Sequence, residues 1–589
     1  MSFISKVSIG NTRTAAAPSP ASAPKTYIDL LYNFVGYLNA NHGRIASGSL
    51  QGRSIGIVGS GAAGLIAAYQ LLQLGANVSI FEASNRAGGR LYTQYPIPGQ
   101  PIAFEMGAMR VPPCEQLFNY YCALFGVQPG GQFPDPGKVD TQIIYRNAAY
   151  NWPAGGNPPA IFDNVSTGWN ALANKLSGLS TLLTNATPQD FATAQASWQS
   201  LVYSSVGFDP EQGYSTISFY QGLVQAFVEN YAAYGLTQPW SGDDFELFGA
   251  LGVGSGGFGP LYGVNFAEIA RLIINGLESD QQFYPGGIAS LVDGFLNAQP
   301  DPNRPGLTLG GCVQFEQTVR QIRKNSTLPL PVQVFTDSGT FQFDAVVVAT
   351  TNRAMQVDMN LTDGEQQMLP QAVSSAVRQL HLMNSSKLFV VTKSKFWQTG
   401  SPLPSNIQSD TLVRGLYCLD YTPETPGVGY GVVLISYTWG DDSTKLLAIG
   451  DPMQRLGLCL QSIRSTQPEF VAALEANLVP GLTQMIDWQL QPNYYGAFKL
   501  NLPGQDSYNQ RLYSHFLTGN GIYLAGDSIG WCGGWIESAF QTGMNAASAI
   551  AQQFLGAAAM YPGSPMTQRP DLFQYGPNLA LRVKPKKLS

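Results

Sequence analysis

The stretch "SIGIVGSGAAGLIAAYQLLQLGANVSIFEAS", residues 54–84, decides how the chain begins to fold. An apolar run ending at Val58 leads into Gly59, Gly61 and Gly64, spaced as G-x-G-x-x-G, and a helical pattern follows at once. A second apolar run ends at Glu82, 18 residues past Gly64. Each part has a physical task. Gly59 permits a tight turn, Gly61 lets the backbone approach a pyrophosphate, and Gly64 lets helix and strand pack closely. The helix start at Ala62 and Ala63 offers N–H donors and the positive end of a dipole. Glu82, followed by Ala83, is placed to accept hydrogen bonds from a ribose. Strand, loop, helix, strand and acid in this order predict a Rossmann-like dinucleotide-binding unit in an α/β chain. The competing reading is a tight turn that serves packing alone.

Outward from this unit, the 589 residues exceed one small domain, and 44% hydrophobic content can fill a large core. A net charge of −6 argues against a nucleic-acid partner, which wants a basic face. The six cysteines form no C-x-x-C pair and there are three histidines, so no metal centre is expected. Sparse thiols fit a reducing compartment. The first 25 residues lack a signal-peptide apolar core, and no run of about 18 apolar residues offers a membrane span. These features predict a cytoplasmic protein without a membrane partner. Residues 11–26 read as a disordered lead, "YIDLLYNFVGYL" carries Ile28, Leu31, Val35 and Leu38 at helical spacing, and the terminal "VKPKK" reads as a solvated tail. Strand patterns recur in "FDAVVVAT", "KLFVVTK", "YGVVLISYTW" and "GIYLAGD", and "GWIESAFQTGMNAASAIAQQF" reads as a helix.

"FEMGAMRVPP", residues 104–113, poses a separate question. Arg110 sits among apolar neighbours in a chain with 12% charged residues, and a buried guanidinium needs an anion. That anion is either a protein carboxylate, with Glu105 five residues upstream as the candidate, or the carboxylate of a substrate.

The residues after Glu82, "EASNRAGGR", resemble flavoproteins of the amine oxidase family, in which Gly88 and Gly89 would pass close to the cofactor and Arg90 would meet its phosphates. A surface salt bridge is the plainer reading of Arg90. "MGAMRVPP", "DDFELFGALGVGSGGFG", "SSKLFVVTKSKFW", "VVLISYTWGDD", "GAFKLNLPGQDSYNQRL" and "GGWIESAFQTGMNAA" follow in family order. Together they resemble the flavin-dependent L-amino acid oxidases and monooxygenases of that family, most closely the branch of bacterial tryptophan 2-monooxygenases. The similarity covers nearly all of the chain beyond residue 27.

This resemblance implies non-covalent FAD and three interleaved regions. The FAD domain would be built from 53–116, 285–355 and 505–555. A helical domain would span 117–284 and a substrate-binding domain 356–504, with an N-terminal extension at 1–52 and a tail at 556–589. It implies that Arg110 binds a substrate α-carboxylate, that Tyr437 supplies a second contact, and that Lys387 holds a water at the flavin. Gly534 would receive the substrate amine on its carbonyl and Trp535 would wall the site. Trp439 lines the site or packs in the core. Gly107, Ala108, Met109, Arg110, Val319, Asp527, Gly534, Trp535 and Ile536 would join Gly59, Gly61, Ala62, Ala63, Gly64, Glu82, Ala83, Gly89 and Arg90 around FAD. Cys532 reads as a packed thiol. The glycine string at 252–259 reads as a bend, with Phe248, Phe258 and Tyr262 as pocket or core aromatics.

The activity implied is oxidation of an aromatic L-amino acid, tryptophan or phenylalanine, at the α-carbon with O2. The product is the decarboxylated amide, such as indole-3-acetamide, if intermediates stay trapped. If they escape, it is a 2-oxo acid with ammonia and hydrogen peroxide. A basic substrate would need a pocket carboxylate, for which Asp243, Asp244 and Glu246 are candidates. A homodimer is left open.

Overall fold

The computed structural model describes residues 27–29, 34–39, 45–185, 188–203, 213–250, 257–359, 361, 368–399, 403–514 and 521–556. The lead expected to be disordered, Leu31, the glycine string up to 256 and the basic tail lie outside these residues. Phe34–Asn39, within the expected first helix, is helical.

Two sheets organise the chain. The first is parallel and five-stranded, in the order Ile522–Leu524, Ala345–Val348, Ser54–Val58, Asn77–Phe81, Val313–Gln314. Its central strands are apolar on both faces, as a sheet covered on both sides requires. Helix Ala62–Gln73 follows the first strand, and helix Ile536–Leu555 packs against it. The close approach depends on Gly543, where a Cβ would lie 2.4 Å from the Ala63 carbonyl oxygen. A hairpin of Val332–Thr336 and Gly339–Phe343 leads into the strand Ala345–Val348.

The second sheet has seven strands: Leu478–Asp487, Ser385–Thr392, Gly431–Trp439, Gly415–Leu419, Asn406–Ser409, Thr141–Tyr145 and Ala148–Trp152. All neighbours are antiparallel except Asn406–Ser409 and Thr141–Tyr145. The last two strands correct the sequence reading, because they come from inside the block 117–284 expected to be helical. Their hairpin turns at Arg146 and Asn147, both at positive φ, and their place is fixed by pairing with residues 406–409. The boundary drawn at 355 also shifts. It falls inside helix Asn352–Val357, and Val373 and Val377 of helix Gln371–Gln379 share a core with Val346, Val348 and Leu524 of the parallel sheet. Burying those apolar faces ties the helices to the first sheet rather than the second.

The other described residues of 117–284 are largely helical. Phe248 and Phe258 stack at 4.4 Å, and Trp169 packs on both rings. Tyr262 donates to the Phe245 carbonyl. None of the three proposed pocket aromatics lines the cavity described below, so core packing is their observed role.

Candidate functional site

A cavity of about 250 Å³ runs between the two sheets, with walls drawn from Val58 to Ala539. At one end the loop after the first strand forms a backbone cradle. Gly59 has φ +94 and its N–H donates to Phe81 O at 2.8 Å, while a Cβ there would lie 2.8 Å from Ala349 O. Gly61 bridges to Gly88, and a Cβ on Gly89 would come within 3.1 Å of the Gly61 Cα. Gly59, Gly61, Ala62, Ala63, Ala83, Gly88 and Gly89 line the cavity. Gly64 does not. A Cβ there would lie 2.0 Å from the Gly59 carbonyl oxygen, so it serves the loop's own packing, which corrects its assignment as a cofactor contact.

Glu82 also lines the cavity. One carboxylate oxygen accepts from the Ser60 N–H and hydroxyl, the other from the Ser84 N–H and hydroxyl, at 2.7–2.9 Å. A ribose would share oxygens already bonded to the protein. Arg90, expected at the phosphates, donates to Asp527 and, at 2.6 Å, to the Ala497 carbonyl. Two residues singled out separately thus form one ion pair in the cavity wall.

Farther along, Gly107, Ala108 and Met109 pass against the loop at Arg90. Ala108 N–H donates to Arg90 O at 3.0 Å, and a Cβ on Gly107 would lie 1.8 Å from that oxygen. This close approach delivers Arg110. The Glu105 alternative for its partner is overturned. Glu105 accepts from the Ile288 N–H at 2.7 Å and the Thr93 hydroxyl at 2.8 Å, on the side of Lys387. The acids facing Arg110 are Glu278 and Asp135. Arg110 Nη1 lies 3.9 Å from Asp135 Oδ1, and its side chain is 8% exposed. Burial opposes the guanidinium charge, and Glu278 and then Asp135 more than offset that. Burial pushes the Glu278 carboxyl up to about 7 despite Arg110.

Lys387 and Tyr437 are directly paired neighbours in the second sheet, so their side chains share the face that looks into the cavity. Lys387 Nζ lies 4.8 Å from the Tyr437 ring centroid and donates to the carbonyls of Glu105 at 2.9 Å and Gly107 at 2.6 Å. Burial pulls the ammonium down to about 7, with Glu105 opposing and Arg110 adding to the shift. Burial raises the Tyr437 phenol, so it keeps its proton.

Trp439, Gly534, Trp535 and Ile536 line the same cavity, and Val319 and Asp527 lie along it. Gly534 has φ +85 and its N–H donates to Asp527 at 3.2 Å. Trp439 meets Phe498 edge-on at 5.5 Å. Cys532 is buried outside the lining. It accepts from Asn275 Nδ2 at 3.3 Å, and burial raises its thiol, as befits a packed residue. Asp243 and Glu246 bind exposed Arg146 and do not reach the cavity, nor does Asp244. Sequence reasoning missed Glu278, Asp135, Phe498 and Trp488, whose indole N–H donates to Met106 O at 2.9 Å. Glu278 carried no local chemical signal of its own.

No helix among the described residues is long and apolar enough to cross a membrane, and no cluster of His, Cys, Asp and Glu among them could hold a metal. The open glycine cradle, where side chains would collide with backbone, suits a dinucleotide and so fits a flavin.

Comparison with known proteins agrees. Residues 62–551 match the model of the flavin containing amine oxidoreductases. The chain is 39% identical over 573 residues to the tryptophan 2-monooxygenase of Pantoea agglomerans pv. gypsophilae, covering 93% of this chain and 98% of that protein. It is 38% identical over 553 residues to that of Pseudomonas savastanoi, covering 89% and 94%. A phenylalanine 2-monooxygenase precursor from a Pseudomonas species is 25% identical, covering 86% and 88%. Among solved structures, wild-type putrescine oxidase bound to putrescine superposes with a TM-score of 0.62 at 17% identity, covering 85% of this chain and 98% of that one. Cyclohexylamine oxidase from Brevibacterium oxydans IH-35A gives 0.58 at 18%, covering 85% and 99%. A two-sheet fold, a dinucleotide cradle and matches along nearly the whole chain converge on one conclusion: the chain belongs to the flavin containing amine oxidoreductase family.

Proposed function

We propose that this flavoenzyme oxidises an aromatic L-amino acid, tryptophan or phenylalanine, converting it with O2 into the amide one carbon shorter, CO2 and water. The observation that carries the reading is the convergence of Arg110, Tyr437 and Lys387 on the cavity that begins at the glycine cradle. The names of the relatives support the same substrate class. FAD, when bound, supplies the acceptor for the α-hydrogen as hydride and the route for its electrons to O2.

Gly59, Gly61, Ala62, Ala63, Glu82, Ala83 and Val319 would hold the nucleotide half of the cofactor. Arg90, Asp527, Met109 and Ile536 would line the remainder. Arg110 grips the α-carboxylate through two parallel N–H bonds, which a planar guanidinium presents at fixed geometry. Tyr437 adds an O–H donor. With the amine on the Gly534 carbonyl, three fixed contacts select the L enantiomer. Lys387 holds or releases a proton at Nζ near neutral pH, beside the Tyr437 ring, and is placed to hold a water at the flavin. Trp439, Phe498, Trp535 and Leu272 offer an apolar berth for an indole or phenyl ring. Asp243, Asp244 and Glu246 lie outside the lining, so none of the three is placed to pair with a basic substrate side chain. The packed state of Cys532 supports non-covalent FAD, and six free cysteines support a cytoplasmic setting.

Anaerobic mixing of the purified holoprotein with a panel of L-amino acids tests the substrate class. Tryptophan or phenylalanine is expected to bleach the flavin spectrum, and bleaching by neither overturns it. Product analysis in air then separates amide from 2-oxo acid plus hydrogen peroxide, the outcome if intermediates escape.

A further inference from the structure

Two buried acids that the chemistry above does not use stand beside Arg110. Glu278, 6% exposed, lines the cavity, and Asp135, 4% exposed, lies outside the lining. A bridge between Val111 and Gln282 and a ladder between residues 131–132 and 282–283 set them there. Glu278 Oε accepts from Gln281 Nε2 at 3.0 Å, and Asp135 Oδ1 has no hydrogen-bond partner among the described residues. Among the described residues, the other charged and titratable groups around the pair are Tyr437 and Tyr417 from the second sheet, Lys387 with Glu105 beyond Arg110, and Lys138, which bonds Asp280 at 3.1 Å.

An incoming α-carboxylate would place a third carboxylate around one buried guanidinium. Two ionised acids and the ligand cannot share that charge without a large desolvation and repulsion cost. Neutralising the acid that faces the cavity removes the repulsion and turns an acceptor into a donor, since a protonated carboxyl offers one strong O–H to a carboxylate. We propose that Glu278 is a further substrate-positioning residue, which takes up one proton from solvent when the amino acid binds and donates it as a hydrogen bond to the α-carboxylate beside Arg110. The inference rests on Arg110 as the carboxylate site. It adds that substrate affinity is coupled to a proton and that the coupling resides at Glu278.

The probe is 3-(indol-3-yl)propanoate, a carboxylate without the α-amine, so that the ligand's one charge does not titrate between pH 6.5 and 9. Its affinity is read from the perturbed absorption of the bound flavin. In the wild-type holoenzyme Kd is expected to rise about tenfold per pH unit above the Glu278 midpoint, as one-proton linkage requires. In Glu278→Gln it is expected to be flat, and in Lys387→Met the slope is expected to persist. The corresponding primary amide should bind without a slope. A flat wild-type profile, a slope retained in Glu278→Gln, or a slope that disappears with Lys387→Met overturns the proposal. Calorimetry of the wild-type protein at pH 8.5, in two buffers of different ionisation heat, keeps the test valid if Glu278→Gln does not fold. About one proton taken up per ligand is expected, and none refutes it. Failure of tryptophan and phenylalanine to bleach the flavin would instead refute the substrate class. Bleaching with no proton uptake would refute only the role of Glu278.

Discussion

Glu115 and Glu537 cap each other's helices. The Glu115 carboxylate accepts from the Glu537 N–H at 3.2 Å, at the start of helix Ile536–Leu555. The Glu537 carboxylate accepts from Leu117 and Phe118 N–H at 2.8 and 3.1 Å, in the first turn of helix Gln116–Phe125. Each helix dipole is satisfied by an acid from the other.

Burial raises both carboxyls, Glu537 to about 7 from an ordinary 4.5. The folded state therefore holds a proton at Glu537 that the unfolded chain has released. The stability this contributes is complete below about 4.5 and is lost as pH rises through about 7. Glu537→Gln keeps an acceptor oxygen for Leu117 and Phe118 but cannot ionise. We expect its melting temperature to fall less steeply than the wild type's between pH 5 and 7.5, as measured by calorimetry. Parallel profiles would contradict this.

Arg110→Lys replaces a planar two-pronged donor with a point charge. KM for the amino acid is expected to rise by about 10²-fold or more, on the scale of a lost charged hydrogen-bond pair, with FAD content unchanged. Loss of the flavin spectrum would make Arg110 structural instead.

Lys387→Met retains much of the side-chain volume and removes the proton-carrying Nζ. Turnover is expected to fall by roughly 10²-fold or more, the range of proton-transfer catalysis, with flavin still bound. Because the Lys387 midpoint is near 7, a titration there should also vanish from the pH profile of kcat. Persistence of that titration in the variant would assign it elsewhere.

Gly543→Ala pushes a methyl against the Ala63 carbonyl and Ile66, between two helices whose N-termini both reach the cavity. We expect a loss of about 1–3 kcal/mol, the usual cost of overpacking, and weaker retention of FAD on dialysis. Unchanged stability to urea would mean that the helices part without penalty.

The glycine loop was legible because its requirements are local. Gly59 needs a positive φ and Gly64 needs room against its own loop, and both constraints sit within a few residues. Lys387 and Tyr437 were identified through the family strings, and their pairing then followed from two strands whose patterns were plain. The acids around Arg110 were not legible. Glu105 is near in sequence, yet its strand directs it to Thr93 and Ile288, while Asp135 and Glu278 arrive through pairing among distant segments. Thr141–Tyr145 was missed for the same reason, since its place depends on Asn406–Ser409. Phe248 and Phe258 looked like pocket residues because sequence cannot tell an aromatic core from an aromatic wall.

The cavity walls begin at Val58 and end at Ala539. No contiguous fragment shorter than that span contains the whole binding site, and the parallel sheet's last strand, Ile522–Leu524, follows every strand of the second sheet along the chain. In chain order the glycine cradle comes first, the facing wall of Lys387, Tyr437 and Trp439 far later, and Asp527, Gly534 and Trp535 later still. A chain truncated before residue 522 would keep the cradle and lack Asp527, Gly534 and Trp535, so the wall is closed from both ends of one long span.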